Sequence, residues 1–343
     1  MGKHFLSTIK EWFYNQLYIT RKPVIRVYNG YANHQAFSLF GHVLKQSPLT
    51  HKQFRQNFLS NTFSVIRLFL VKPFPHTSIT IHWQNESIVT TTDENGFFKI
   101  NWMLQAPLSS GWHSVFAELI INGETVCKEE GKFLVPSATH LALISDIDDT
   151  FLVSHASQLR KKLKVLLSEN AQSRKPFHAV VHHYQLLAKE EDHQRPFFYI
   201  SSSEWNLYDY LQEFKHKYQI PEGIYLLSSL KQINQLLHTH QQKHDGKYMR
   251  IIRILKAFPE LHFILLGDDG QRDPDIYHSV VKQFPTNIRC VYIRQVKQQP
   301  TATMQNMIAS MKMLGVALCY FKNSEEAIEH SAALGFIQLE DRR

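Results

Sequence analysis

Three carboxylates stand within four residues, at Asp146, Asp148 and Asp149, directly after the apolar run Leu141-Ala142-Leu143-Ile144 and just before Thr150. Carboxylates this close repel one another unless a cation or a titration partner holds them. An oxygen-only donor set suits a hard cation such as Mg²⁺, which keeps several waters for a substrate. The apolar run reads as a buried strand. Ligands of open α/β sheets bind beyond the carboxyl ends of the strands, so Asp146 and Asp148 lie where chemistry is usually done. Taken alone, D-x-D also occurs in glycosyltransferases and in loop caps.

Three further groups follow in order. Phe197-Phe198-Tyr199-Ile200 ends in Ser201-Ser202-Ser203, whose hydroxyls, with the backbone N–H groups of a helix expected to start near Glu204, would hold an anion. Lys247 is expected to open a helix after a polar stretch, where its charge would neutralise nucleophile and anion together. Phe263-Ile264-Leu265-Leu266 ends in Gly267-Asp268-Asp269-Gly270-Gln271-Arg272-Asp273, adding carboxylates for a metal, with glycines that permit a sharp turn. Singly, each has a plain reading: a serine cap, a solvated lysine, or Asp273-Pro274 as a helix start. Their order, and their places at strand ends, argue for one site.

D-x-D-x-T, Ser, Lys and G-D-x-x-x-x-D in this order resemble the four motifs of the haloacid-dehalogenase (HAD) superfamily of phosphohydrolases. With their flanks, Ser145–Thr150, Phe198–Tyr208, Phe258-Pro259, Gly267–Tyr277 and Val291–Arg294 look like one branch of it, the catalytic domain family of the actin-patch-associated phosphatidate phosphatases, known in bacteria as a domain of unknown function. The resemblance spans roughly Leu141 to Arg294, and Val24–Leu44 resembles the segment preceding this domain in bacterial members. It implies an α/β HAD-like Rossmannoid domain with a small cap insertion, about 151–195, and Mg²⁺-dependent conversion of phosphatidate to diacylglycerol. By the same resemblance Asp146 would be the nucleophile and Asp148 the general acid and base. Thr150 and Ser201, with Ser202 and Ser203 beside them, would hold phosphoryl oxygens, and Lys247 would offset charge. The metal would take Asp146, the backbone carbonyl of Asp148, Asp268, and Asp269 or Asp273. Glu204 stands where the family usually has Pro, Asp269 where it has Ser, and Leu227-Ser228-Ser229 where Leu-Arg-Asp is expected. These departures bear on substrate choice. A soluble or protein phosphoester is therefore the rival substrate, and a non-enzymatic lipid- or protein-binding module on the same scaffold is the rival outside catalysis.

The elements that must position these residues read as two domains in 343 residues. Residues 1–22 form an amphipathic stretch, with Phe5, Leu6, Ile9, Trp12, Phe13 and Leu17 at helical spacing. Residues 23–136 alternate short β-rich runs with turn signals, the strongest being Asn95-Gly96 and Asn122-Gly123, which read as hairpins; an all-β sandwich is expected. From 137 to 343, apolar strands alternate with helical patterns, the text of a parallel sheet covered on both faces. Between the first two motifs, Arg160–Lys164 and Arg174-Lys175 make a basic cluster suited to an anionic bilayer. Net charge +8 favours anionic partners, and with no helix-turn-helix, zinc-finger or RNP pattern no nucleic acid is expected. Three scattered cysteines indicate no disulfide framework. No run approaches the roughly 20 apolar residues of a membrane span, and Lys3, Lys10 and Glu11 interrupt any signal-peptide core. The expectation is a cytoplasmic protein with peripheral contact at the inner membrane face. His238-x-His240-x-x-x-His244 has partial metal spacing but lies in a polar segment lacking a carboxylate pair, and His182-His183 read as helix-surface residues.

Overall fold

The computed structural model describes residues 23–45, 72–137, 139–147, 179–190, 193–229 and 243–339. The N-terminal amphipathic stretch, Asp148, Thr150, the basic clusters at 160–164 and 174–175, His238 and His240 lie outside the described residues. The chain divides into two compact units at Val135–Pro136.

Alternation builds the first unit. Its strands are β1 (Val24–Ala32), β2 (Ala36–Leu44), β3 (Ser78–Trp83), β4 (Glu86–Thr91), β5 (Phe97–Met103), β6 (Gly111–Ile121) and β7 (Glu124–Val135). Every second side chain points to one face, so Phe37, Leu39 and Val43, Ile79 and Ile81, Phe98, Ile100 and Trp102, and Val115, Ala117 and Leu119 converge on one core. Each large side chain buried there contributes about 1.5–3 kcal/mol. Phe37 stacks on Phe133 at 4.2 Å between ring centroids.

Where a sandwich would have two sheets, these strands hydrogen-bond into one, in the order β4-β3-β6-β7-β1-β2-β5. The link is β1, which runs antiparallel to β2 and, after a register shift between Tyr28 and Tyr31, parallel to β7 through Gly30↔Phe133 and Tyr31↔Leu134. Asn122-Gly123 forms the expected hairpin between β6 and β7, both residues having positive φ as such a turn requires. Asn95-Gly96 does not form one. It joins β4 to β5, which occupy opposite edges of the sheet. Asp93 Oδ1 accepts from the N–H groups of Asn95 and Phe97, and Gly96 lies so close to β2 that a Cβ on it would stand 2.5 Å from Val43 O.

The second unit contains β8 (Leu141–Ser145), α1 (Val180–Ala188), the short β9 (Lys189–Glu190) and β10 (His193–Gln194), β11 (Phe197–Glu204), a 3-10 turn (Trp205–Leu207), α2 (Tyr208–Tyr218), β12 (Ile224–Ser228) and α3 (Lys243–Ala257). It continues with β13 (His262–Asp268), α4 (Asp273–Gln283), β14 (Ile288–Arg294), α5 (Ala302–Met313), β15 (Ala317–Phe321) and α6 (Ser324–Ala333). Six strands form a wholly parallel sheet in the order β12-β11-β8-β13-β14-β15. The chain leaves β8 for β11 and β12 on one side, then crosses to β13 on the other, so the strand order reverses about β8. Such a reversal opens a crevice at the carboxyl ends of the central strands.

Helix α1, which falls within the span expected as an insertion, belongs to the body of this unit. It packs on α6, Tyr184 OH shares a hydrogen bond with Ser145 Oγ at 2.8 Å, and His183 Nε2 meets Ser331 Oγ at 2.8 Å. His183 is thus a buried residue rather than a surface one.

Candidate active site at the end of β8

The crevice at β8 is lined with carboxylates. Asp146 directly follows β8, Asp268 ends the neighbouring β13, and Asp273 opens α4. All three are buried, and each offers an oxygen within 4.8 Å of the others. Lys247, from α3, places Nζ 2.8 Å from Asp146 Oδ1 and hydrogen-bonds Asp273 Oδ1. It lies one turn inside the helix rather than at its start, because α3 begins at Lys243.

The surroundings hold these groups still. Asp146 N–H donates to Leu266 O at 2.8 Å, extending the β8–β13 ladder by one residue, and Ser145 Oγ donates to Asp146 O at 2.6 Å. Gly270 N–H donates to Asp268 Oδ1 at 2.6 Å. Gly267 lets α4 approach: a Cβ there would stand 2.7 Å from both Asp273 Oδ2 and Tyr277 Cε2.

Burial alone would pull the Lys247 ammonium down, but the charges of Asp146 and Asp273 outweigh it and hold the group above an ordinary lysine. Three buried carboxylates facing one ammonium still leave excess negative charge, and buried charge is costly unless balanced. The donors are all oxygen and already converge, which is the arrangement a hard divalent cation such as Mg²⁺ takes. Asp146, Asp268 and Asp273 are the residues that would hold it.

The structure separates the two carboxylates left as alternatives for the metal. Asp269 is not in the cluster: its Oδ1 accepts from the N–H groups of Val296 at 2.6 Å and Lys297 at 3.0 Å, and its Oδ2 accepts from Tyr320 OH at 2.7 Å. Successive side chains at a strand end diverge, so Asp268 faces the crevice while Asp269 fixes the loop after β14. Ser201 and Ser203 are buried at the end of β11, with Ser202 partly exposed. The helix expected from Glu204 begins later; Glu204 is still extended and pairs with Ser228. Asp148 and Thr150 lie outside the described residues.

Residues 141–295 match the family model described as phosphatidate phosphatase APP1, catalytic domain. This segment is similar to that catalytic-domain family. Phosphatidate phosphatase APP1 of Saccharomyces cerevisiae is 30% identical over 155 residues, which are 45% of this chain and 26% of the yeast protein. The chain therefore spans about a quarter of the length of that relative. Among solved structures, the carbohydrate acetylesterase XAC1771 from Xanthomonas citri is 10% identical over 89% of this chain and 71% of its own, with a TM-score of 0.32. A glycosyl hydrolase family 2 member from Bacteroides cellulosilyticus is 9% identical over 92% of this chain and 40% of its own, with a TM-score of 0.27. At such scores neither bears on the fold.

Two residues of the matched segment stand out that motif reasoning passed over. Arg294 is buried at the end of β14, donating to Ser324 Oγ at 2.7 Å and lying over the Phe321 ring; it closes the Val291–Arg294 run without any residue type to announce a role. Arg250 reaches from α3 to the end of β11. Its spacing of three from Lys247 puts both on one helix face, a signal that could have found it.

Proposed function

We propose that the second unit is a HAD-like, Mg²⁺-dependent phosphatase acting on a phosphate monoester, with phosphatidate as the first substrate to test and diacylglycerol as the product. The observation that carries this reading is Lys247 lying between Asp146 and Asp273, with Asp268 in the same cluster, at the reversal point of the sheet.

Asp146 attacks phosphorus through a carboxylate oxygen, the bond from phosphorus to the leaving oxygen breaks, and an aspartyl-phosphate forms, splitting one hard step into two. Asp148 gives its proton to the leaving alkoxide, then takes one from the water that attacks the aspartyl-phosphate, restoring Asp146 and releasing phosphate. Asp146, Asp268 and Asp273 would hold the Mg²⁺, which when bound would offset the negative charge of the phosphoryl oxygens. Lys247 aims Asp146 through their ion pair. Thr150 and Ser201 donate to phosphoryl oxygens, with Ser202 and Ser203 shaping the same rim.

A soluble or protein phosphoester is the second reading. It is favoured by Ser228 and Glu204 at the β11–β12 end, where the family pattern differs. In this reading the enzyme works in the cytoplasm with peripheral contact at the inner membrane face, for which Phe5–Leu17 and Arg160–Lys164 are the candidate segments. No helix among the described residues is long and apolar enough to cross a membrane.

The test is a phosphate-release screen with Mg²⁺ across phosphatidate vesicles and soluble monoesters, with Asp146→Asn as control. Release is expected with the wild type and abolished by the amide, which keeps the shape but is no nucleophile. Undiminished turnover in Asp146→Asn would sink the mechanism, and silence of the wild type on every ester would leave the binding-module rival.

A further inference from the structure

The parallel pairing of β11 with β12 breaks just where the serines stand. Ile200 pairs with Leu226 and Glu204 with Ser228, so Ser201, Ser202 and Ser203 face Leu227 alone. Such a bulge bends the strand and interrupts its ladder. Two side chains bridge the break. Ser201 Oγ accepts from Ser203 N–H at 2.9 Å. Arg250 Nη2 donates to Ser201 O at 3.0 Å on one strand and to Ser228 Oγ at 3.4 Å on the other.

The setting of Arg250 is unusual for a cation. Its Nε is buried with no hydrogen-bond partner among the described residues. Desolvation and the neighbouring Arg253 pull the guanidinium down to about 10, still charged at neutral pH. It lies against the helix backbone at Gly246, where a Cβ would come 3.3 Å from Nη1. Removing an arginine from water for two neutral acceptors is a poor way to gain stability. The same helix face carries Lys247 one turn earlier, so α3 touches both the carboxylate cluster and the serine bulge.

We infer that Arg250 is a positioning residue: it pins the β11 bulge so that Ser201 and Ser203 are presented to the phosphoryl group in fixed register with Lys247. This rests on the reading of Ser201 as a phosphoryl-binding group.

The full chain carrying Arg250→Met or Arg250→Lys tests it by two measurements. Hydrogen exchange reports on the pin without any turnover. Peptides covering residues 198–207 should exchange about tenfold faster in Arg250→Met, with Arg250→Lys recovering part of the protection, while peptides from β13 and β14 keep the wild-type rate. Steady-state kinetics with p-nitrophenyl phosphate and Mg²⁺ report on the consequence. KM should rise about tenfold in Arg250→Met, the effect of one misplaced charge-assisted hydrogen bond, with kcat within about threefold. Unchanged exchange at 198–207, or an equal rise over the whole sheet, overturns the pin. A local exchange change with an unaltered KM overturns its link to substrate. If the wild-type chain releases no phosphate from any ester while Arg250→Met still shows the local exchange change, the pin stands and the phosphatase reading falls instead.

Discussion

Lys247 carries the charge balance of the buried cluster, so its removal is the sharpest probe of the cation. Lys247→Met leaves Asp146 and Asp273 buried without their ammonium, which should cost roughly 3–5 kcal/mol of stability, as breaking a buried pair does. Added Mg²⁺ should recover part of that loss; urea titrations with and without Mg²⁺ measure it, and a loss that Mg²⁺ does not relieve would speak against a cation among these carboxylates. The metal set can also be divided residue by residue. Asp268→Ala and Asp273→Ala should weaken the Mg²⁺ titration of phosphate release far more than Asp269→Ala, whose effect should be a lowered melting temperature from loosening the Val296–Lys297 loop. Equal effects of all three on the titration would put the cation elsewhere. Residue types pointed to Asp146 and Asp268, and the order of the four groups along the chain added Lys247, which taken singly reads as a solvated lysine. Choosing Asp273 over Asp269 was beyond sequence. The choice depends on which way consecutive side chains leave the end of β13, and on Tyr320, fifty-one positions away, claiming the second carboxylate.

Helix α1 locks to α6 through His183 and Ser331, and that contact depends on pH. Desolvation, with the nearby charges of Arg294, His182 and His330, lowers His183 from 6.5 to about 3. The imidazole is therefore neutral in the folded chain while the unfolded chain still takes up a proton. Below pH 6.5 the unfolded state binds more protons, so stability falls as pH falls, by up to about 1.4 kcal/mol per pH unit, until the folded state also protonates near 3. His42, lowered to about 3 by burial, acts the same way in the first unit. His183→Gln should flatten the decline of the second unit; melts between pH 7 and 4 that keep the wild-type slope in this variant would show that the acid sensitivity arises elsewhere. Element types were readable from periodicity, since the parallel strands are near-continuous apolar runs and the first unit alternates. Partners were not. Asn95-Gly96 has the chemistry of a hairpin turn, yet turn chemistry specifies a bend and not which strands the bend connects. The extended Glu204 depended likewise on a tertiary contact, its pairing with Ser228.

At the scale of the whole molecule, the proposed work at a bilayer makes a prediction about salt. Attraction through Lys161, Lys162 and Lys164 is screened beyond about 10 Å at 0.1 M ionic strength, so sedimentation with anionic vesicles should weaken as salt rises. Reversing those three charges should reduce it more than removing the first 20 residues, while turnover of a soluble phosphoester survives. Sedimentation indifferent to both salt and lysines would favour the soluble substrate. The two-unit division was visible as a change of text near Pro136, because alternating strands and strand–helix repeats bury their apolar residues on different periods. That the first unit is a single sheet rested on one link, the parallel contact of Gly30 and Tyr31 with Phe133 and Leu134. That link has a consequence during synthesis. Strand β1 leaves the ribosome at the beginning of its unit and β7 at the end, about 100 residues later. At ~5–20 residues per second the wait is roughly 5–20 s. Through that interval β1 and β2 can zip into a hairpin, but β1's other edge remains an open template for a neighbouring nascent chain. Crowded polysomes, rather than the finished protein, are where this sheet is most exposed to mispairing, and a chaperone that covers an edge strand has its opportunity there.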